Sequence, residues 1–253
     1  MFSNAIVRRP CKNMVSGLTS ASLGSPDHAL AMRQHDAYIQ ALERCGLSVT
    51  IMEADESFPD STFIEDTCLV TPNCAVMTRP GAPSRLEETR EVEKVIQNFC
   101  DTIEHITAPG TIDAGDIMMT GSHFYIGLSE RTDKAGARQM SSVLERHGMT
   151  ASTIALEHVL HLKTGISYLE NNILLAAGEF INHPALEHFD IIEVPETESY
   201  AANSLWVNDK VLVPKGFNAV MQMIEKKGYE TLAVDVSEFQ KLDGGLSCLS
   251  LRF

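Results

Sequence analysis

Five times along the chain a polar or glycine-bearing turn runs into a short apolar strand, and in four of the five a tight turn and a second strand follow. The stretches are Ile64-Glu65-Asp66 into Thr67 to Thr78, Ala114-Gly115-Asp116 into Ile117 to Gly127, Thr164-Gly165 into Ile166 to Ala177, Ala202-Asn203 into Ser204 to Pro214, and Gly244-Gly245 into Leu246 to Arg252. Pro72-Asn73, Gly121-Ser122, Asn171-Asn172 and Asn208-Asp209 punctuate the first four as hairpins, because these residue types accept the backbone angles that tight turns demand. The fifth stretch lacks a second strand. Asn4 to Arg8 is placed to supply it by pairing the first strand with the last, a closure that removes exposed sheet edges.

Between the hairpins, apolar residues recur at three and four spacing over Pro26 to Cys45, Ser84 to Phe99, Lys134 to His147 and Phe217 to Lys227, which predicts helices. Asp27 and Ser84 are placed to cap two of them, and Gly46, Gly148 and Gly228 stand where C′ glycines belong. Strand-rich modules interleaved with helices predict an α/β fold. The repeat points to a five-bladed α/β propeller with helices outside, while chance alternation in an ordinary α/β sandwich is its competitor. No linker or low-complexity tract divides the sequence, so residues 1–253 are expected to form a single domain.

With 44% hydrophobic residues the chain can bury a large core, yet no window approaches the roughly 18 consecutive apolar residues of a membrane span. The first ten residues contain no signal-peptide apolar region, which points to the cytoplasm. Six cysteines without a CxxC pair read as reduced thiols. Twenty basic against 34 acidic residues give a net charge of −14, which disfavours nucleic acid and anionic membrane and suits a cationic small molecule. A homodimer is left open.

Residues just before each strand of such a ring converge on its centre: Glu65 and Asp66, Asp113 with Gly115 and Asp116, His161 to Gly165, and Gly244 to Cys248. A free cysteine commonly packs as a small hydrophobe. Cys248 differs from Cys11, Cys45, Cys68, Cys74 and Cys100 in following a glycine pair, which lets a ligand approach the backbone closely. A guanidinium ion presents a planar fork of donors that carboxylates bind bidentately, a role for Asp66 and Asp113. Its carbon is a poor electrophile, so cleavage needs a thiolate nucleophile and a proton for the departing amine, tasks that suit Cys248 and His161. Asp113 and Asp116 would otherwise cap turns, and His161 would otherwise be a structural histidine. His158 and His161 lie three apart and would share a helix face as metal ligands, but HExxH is absent and Cys248 would be a solitary thiolate, so no metal is expected. GxSxG, P-loop and GxGxxG motifs are absent too.

These residues, with Gly17-Leu18-Thr19-Ser20, Phe58-Pro59-Asp60-Ser61, Thr78-Arg79-Pro80-Gly81 running to Arg85, Ala108 to Thr111, Arg131-Thr132, His161 to Gly165, Glu198 to Asn203 and Asp243 to Phe253, resemble the bacterial dimethylarginine dimethylaminohydrolases of the guanidino-group-modifying, or pentein, superfamily. The resemblance spans the chain. It implies a five-bladed α/β propeller and hydrolysis of Nω,Nω-dimethyl-L-arginine and Nω-methyl-L-arginine to L-citrulline, with no metal or organic cofactor. By that resemblance Cys248 is the nucleophile, His161 the general acid and base, and Asp66 and Asp113 the guanidinium clamp, with Asp113 also supporting His161. Arg85 and Arg131 resemble the pair that grips the substrate α-carboxylate, Asp60 and the carbonyls of Leu18 and Leu242 resemble the α-amine site, and Glu65 belongs near the same pocket. Asp113 stands where closely similar bacterial members carry Glu, one methylene longer. The alternatives are an arginine deiminase-like hydrolase, whose inserted helical region this chain has no room for, and a non-catalytic propeller binding factor, in which Cys248 and His161 would have no purpose.

Overall fold

The computed structural model describes every residue, Met1–Phe253. In chain order the elements are β1 (Asn4–Arg8), α1 (His28–Arg44), β2 (Ser48–Met52), β3 (Cys68–Val70), β4 (Ala75–Met77), α2 (Thr89–Ile96), β5 (Ile103–His105), β6 (Ile117–Thr120), β7 (His123–Leu128), α3 (Lys134–Arg146), β8 (Thr150–Ala155), α4 (Leu162–Gly165), β9 (Ile166–Tyr168), β10 (Ile173–Ala176), β11 (Asp190–Glu193), β12 (Leu205–Val207), β13 (Lys210–Pro214), α5 (Asn218–Lys226), β14 (Glu230–Val234), α6 (Ser237–Gln240) and β15 (Leu251–Arg252). The strands form five three-stranded sheets distributed over two compact units. One unit, Met1–Phe63 with Gly165–Phe253, holds β15-β1-β2, β9-β10-β11 and β12-β13-β14. The other, Ile64–Thr164, holds β3-β4-β5 and β6-β7-β8.

Every sheet is the same device. An antiparallel hairpin, as in Leu69↔Val76 of β3 and β4, is joined by a third strand running parallel to its second, as in Val76↔Glu104 of β4 and β5. A parallel neighbour needs a crossover. Helices α1, α2, α3 and α5 provide it in four sheets, and two 3-10 turns, Gly178–Phe180 and Pro184–Leu186, do so between β10 and β11. In the sheet β15-β1-β2 no hairpin supplies the antiparallel partner of β1, which comes instead from the far end of the chain, with Ala5↔Arg252 and Ile6↔Leu251, the pairing expected from the sequence. Asn171 and Asn172 (φ 51° and 63°) and Asn208 and Asp209 (φ 47° and 72°) make the left-handed turns read for them.

Asp27 caps α1 by accepting from the Leu30 N–H at 2.8 Å. Gly46, Gly148 and Gly228 follow their helices at φ 88°, 79° and 94°. Two expectations are corrected. Ser84 caps no helix, because Pro83–Glu88 is a 3-10 stretch opened by Pro83 and α2 starts only at Thr89. Leu246 to Arg252 is mostly not a strand either, since Ser247–Leu249 coils into a 3-10 turn and only Leu251–Arg252 pairs.

Apolar side chains collect inside each unit. Tyr38, Leu42, Phe239 and Met14 fill the first around α1, Val211, Val220 and Ile224 pack under α5, and Phe124, Met140 and Ile112 pack beneath α3 in the second. No helix is long and apolar enough to cross a membrane.

Candidate active site

In the unit Ile64–Thr164 the expected acidic residues stand directly ahead of strands, because short 3-10 turns, Ile64–Thr67 and Ala114–Asp116, precede β3 and β6. His161 immediately precedes α4. Its Nε2 donates to Asp113 Oδ2 at 3.0 Å, so the aspartate reaches the ring without the extra methylene of a glutamate. The other Asp113 oxygen accepts from the Gly81 N–H at 2.8 Å. Asp66 Oδ1 accepts from the Gly115 N–H at 3.0 Å. A methyl on Gly115 would lie 2.6 Å from Asp66 Oδ1 and 3.0 Å from His161 Nδ1, so only glycine lets the carboxylate and the imidazole settle on that backbone.

Burial opposes a charge on His161. The charge of Asp66, the hydrogen bond to Asp113 and the charges of Asp116 and Asp113 outweigh it and raise the pKa from 6.5 to about 9. The ring is therefore an imidazolium at neutral pH. Burial likewise pushes Asp113 up, but the hydrogen bond and charge of His161, with Arg85 and the Gly81 N–H, hold its pKa below the usual carboxylate value. Asp116 is fully buried and structural: its oxygens accept from the Leu162 N–H at 2.9 Å, Ser129 Oγ at 2.7 Å and Thr132 Oγ1 at 2.6 Å, and burial raises its pKa.

Arg85 is spoken for within this unit. Its Nη1 donates to Asp66 Oδ2 at 2.5 Å and its Nη2 to Glu88 Oε2 at 2.8 Å, with all three side chains almost completely buried. Glu88 was not anticipated, although its spacing of three from Arg85 is a pairing signal. Glu65 accepts from Lys163 Nζ at 2.6 Å. Arg131 is half-buried, with its N–H donating to Ser129 Oγ at 3.0 Å and its guanidinium in no hydrogen bond or ion pair. Asp66, Asp113 and His161 offer ligand atoms within 4.8 Å of one another, but an imidazolium and the Arg85 guanidinium already balance those carboxylates, which disfavours a metal ion there. His158 is exposed beside Glu157 and lies outside any helix, so it shares no helical face with His161.

In the other unit Cys248 sits half-exposed in the Ser247–Leu249 turn while its neighbours from Gly244 to Ser250 are buried. The Gly245 N–H points at its Sγ, 3.4 Å away. The remaining five thiols are pushed up in pKa chiefly by burial, as expected of cysteines that pack rather than react. Asp60 is buried and accepts from the Leu18 N–H at 2.9 Å. A methyl on Gly17 would stand 2.7 Å from Asp60 Oδ1 and 3.5 Å from Leu242 Cδ1, so Gly17 runs close to the Asp60 carboxylate and the Leu242 side chain.

A family model described as N,N dimethylarginine dimethylhydrolase, eukaryotic, matches residues 24–250. The N(G),N(G)-dimethylarginine dimethylaminohydrolase of Pseudomonas aeruginosa is 54% identical over 100% of both chains. The protein of that name from Streptomyces coelicolor is 34% identical over 98% of this chain and 96% of its own. A solved structure of the P. aeruginosa protein, a cysteine-to-serine variant complexed with citrulline, matches with a TM-score of 0.99 over 100% of each chain at 54% identity. The N-terminal domain of ArgZ, a cyanobacterial arginine dihydrolase, shares the fold alone, with a TM-score of 0.90 at 18% identity over 100% of this chain and 97% of that one. The five sheets are thus the blades of an α/β propeller of the pentein type. Matched along its length in sequence and in fold, the chain belongs to the dimethylarginine dimethylaminohydrolase family.

Proposed function

We propose that the chain hydrolyses Nω,Nω-dimethyl-L-arginine and Nω-methyl-L-arginine to L-citrulline with release of dimethylamine or methylamine. The observation that carries this reading is the 54% identity, over the whole chain, to the P. aeruginosa enzyme whose structure holds citrulline. In this reading both units act as one catalytic domain. Cys248 attacks the guanidinium carbon as the thiolate, its proton having passed to solvent, and His161, protonated at neutral pH, delivers its proton to the departing amine. The bond formed is S–C, the bond broken is C–N, and the intermediate is a thiouronium. Neutral His161 then takes a proton from water, which attacks the same carbon and releases the thiol and citrulline.

Asp66 and Asp113 orient the guanidinium. The unpaired guanidinium of half-buried Arg131 supports its assignment to the substrate α-carboxylate, and the buried carboxylate of Asp60 supports an α-amine site, to which the Leu18 and Leu242 carbonyls would contribute. Arg85 and Glu65 complete the set, held by Asp66 and Glu88 and by Lys163 respectively. Six free cysteines fit the cytoplasm.

The test is a substrate panel with citrulline and amine detection. Equimolar citrulline and dimethylamine from dimethylarginine are expected, and Cys248→Ser should bind substrate by calorimetry without turning it over, because a serine hydroxyl lacking a strong base is a weak nucleophile. Ammonia release from arginine with methylated substrates untouched would overturn the reading.

A further inference from the structure

Four consecutive carbonyls of the turn that carries Cys248 are tied down. Tyr200 Oη donates to Gly244 O at 2.7 Å, Tyr38 Oη to Leu246 O at 2.9 Å and Arg252 Nη1 to Ser247 O at 3.1 Å, while the Cys248 N–H closes on Gly245 O at 3.3 Å. Asn203 does something different. Its buried carboxamide engages the residue immediately before the cysteine at both ends, with Oδ1 accepting from the Ser247 N–H at 2.9 Å and Nδ2 donating to Ser247 Oγ at 3.0 Å. The amide plane lies directly on Gly245, where a methyl would meet Asn203 Cγ, Oδ1 and Nδ2 at 2.5, 2.6 and 2.8 Å. Gly245 is also the donor to Cys248 Sγ. One side chain therefore sets both flanks of the turn, the N–H that faces the sulfur and the residue from which the cysteine projects.

We propose that Asn203 is a positioning residue for Cys248, stapling Ser247 and seating Gly245 so that the sulfur is held beneath the Gly245 N–H. This rests on Cys248 being the nucleophile. A 3-10 turn has weak intrinsic hydrogen bonding, and a reactive group must be held to about 0.5 Å, with a displacement near 1 Å costing around a hundredfold in rate. Carbonyl anchors alone fix the turn as a hinge; the carboxamide fixes its rotation.

Asn203→Ala is expected to lower kcat ten- to a hundredfold with KM changed less than threefold. Asn203→Asp keeps the acceptor for the Ser247 N–H, and the Ser247 hydroxyl reverses to donate to the carboxylate, so the staple survives while negative charge is added to the turn. That variant should regain most of kcat as pH is raised, and the rate of iodoacetamide labelling of Cys248, followed by peptide mass spectrometry, should rise at higher pH than in the wild type. Should Asn203→Ala not fold, Ser247→Ala carries the test, with an expected three- to tenfold loss of kcat as Asn203 Nδ2 loses its acceptor. Asn203→Ala retaining kcat within twofold, or Asn203→Asp failing as completely as alanine with no displaced labelling profile, would overturn the proposal. Wild-type Cys248 labelling no faster than half-exposed Cys100 would instead remove the nucleophile assignment itself, and the proposal with it.

Discussion

Asp66 and Arg85 meet at 2.5 Å with neither side chain more than 5% exposed, so removing either unbalances a buried charge cluster in which Glu88 is the other partner of Arg85. The family resemblance assigns Arg85 to the substrate carboxylate and Asp66 to the guanidinium. The ion pair couples them. Arg85→Ala and Asp66→Ala should each destabilise by about 3–5 kcal/mol, and the double variant by clearly less than their sum, in urea unfolding. Additivity within about 0.5 kcal/mol would show that the pair is not coupled. His161 carries a pH signature of its own. Below pH 6.5 the unfolded imidazole is protonated as well, so the ion pair contributes in full; as pH climbs through about 9 the folded ring loses its proton and that contribution, on the order of 3 kcal/mol, disappears. Asp113, with its lowered pKa, withdraws its share only as pH falls below the usual carboxylate range. Unfolding free energies of the wild type minus His161→Asn should therefore shrink steadily between pH 6.5 and 9, and kcat/KM should fall on the alkaline side with an apparent pKa near 9.

At the scale of elements, Asp27→Ala should cost about 1 kcal/mol in denaturant midpoint analysis, because the Leu30 N–H loses its acceptor while the apolar face of α1 stays packed. A loss of nothing at all would mean that water replaces the cap. Hairpins were legible because asparagine and glycine turns punctuate them, and Asp66, Asp113 and His161 were legible because each precedes a strand or helix start. The third strands were not. Ile103–His105 is too short to show a period, and Thr150–Ala155 alternates burial so weakly that it reads as coil; each is held by a parallel partner that a helix, not a turn, delivers. The Lys163 and Glu65 pair leaves no mark in the sequence for a related reason, since residues far apart in sequence meet only after the chain has packed. Ser84 has the residue type of a cap, but Pro83 ahead of it opens a 3-10 stretch and delays the start of α2.

For the molecule as a whole, the informative contact joins β1 to β15. The N–H groups of Ser3 and Asn4 both donate to Phe253 O at 2.8 Å, so residues at opposite ends of the sequence lie side by side. A circular permutant joining Phe253 to Met1 through a short Gly-Ser linker, and opened between exposed Glu53 and Ala54, would string β15, β1, α1 and β2 together consecutively. Circular dichroism and melting should match the native protein, and a molten permutant would mean that the native chain order is itself required. The native order carries a hazard that this rearrangement removes. Closing nearly the full chain length costs about 3 kcal/mol more than closing a ten-residue loop. Until that happens, Ala5, Ile6 and Val7, all fully buried in the finished fold, lie on a strand with an open edge and an apolar face. A nascent or refolding molecule is for that interval a template for its neighbours, so refolding yield should fall with protein concentration in the native order and much less in the permutant, as light scattering would report.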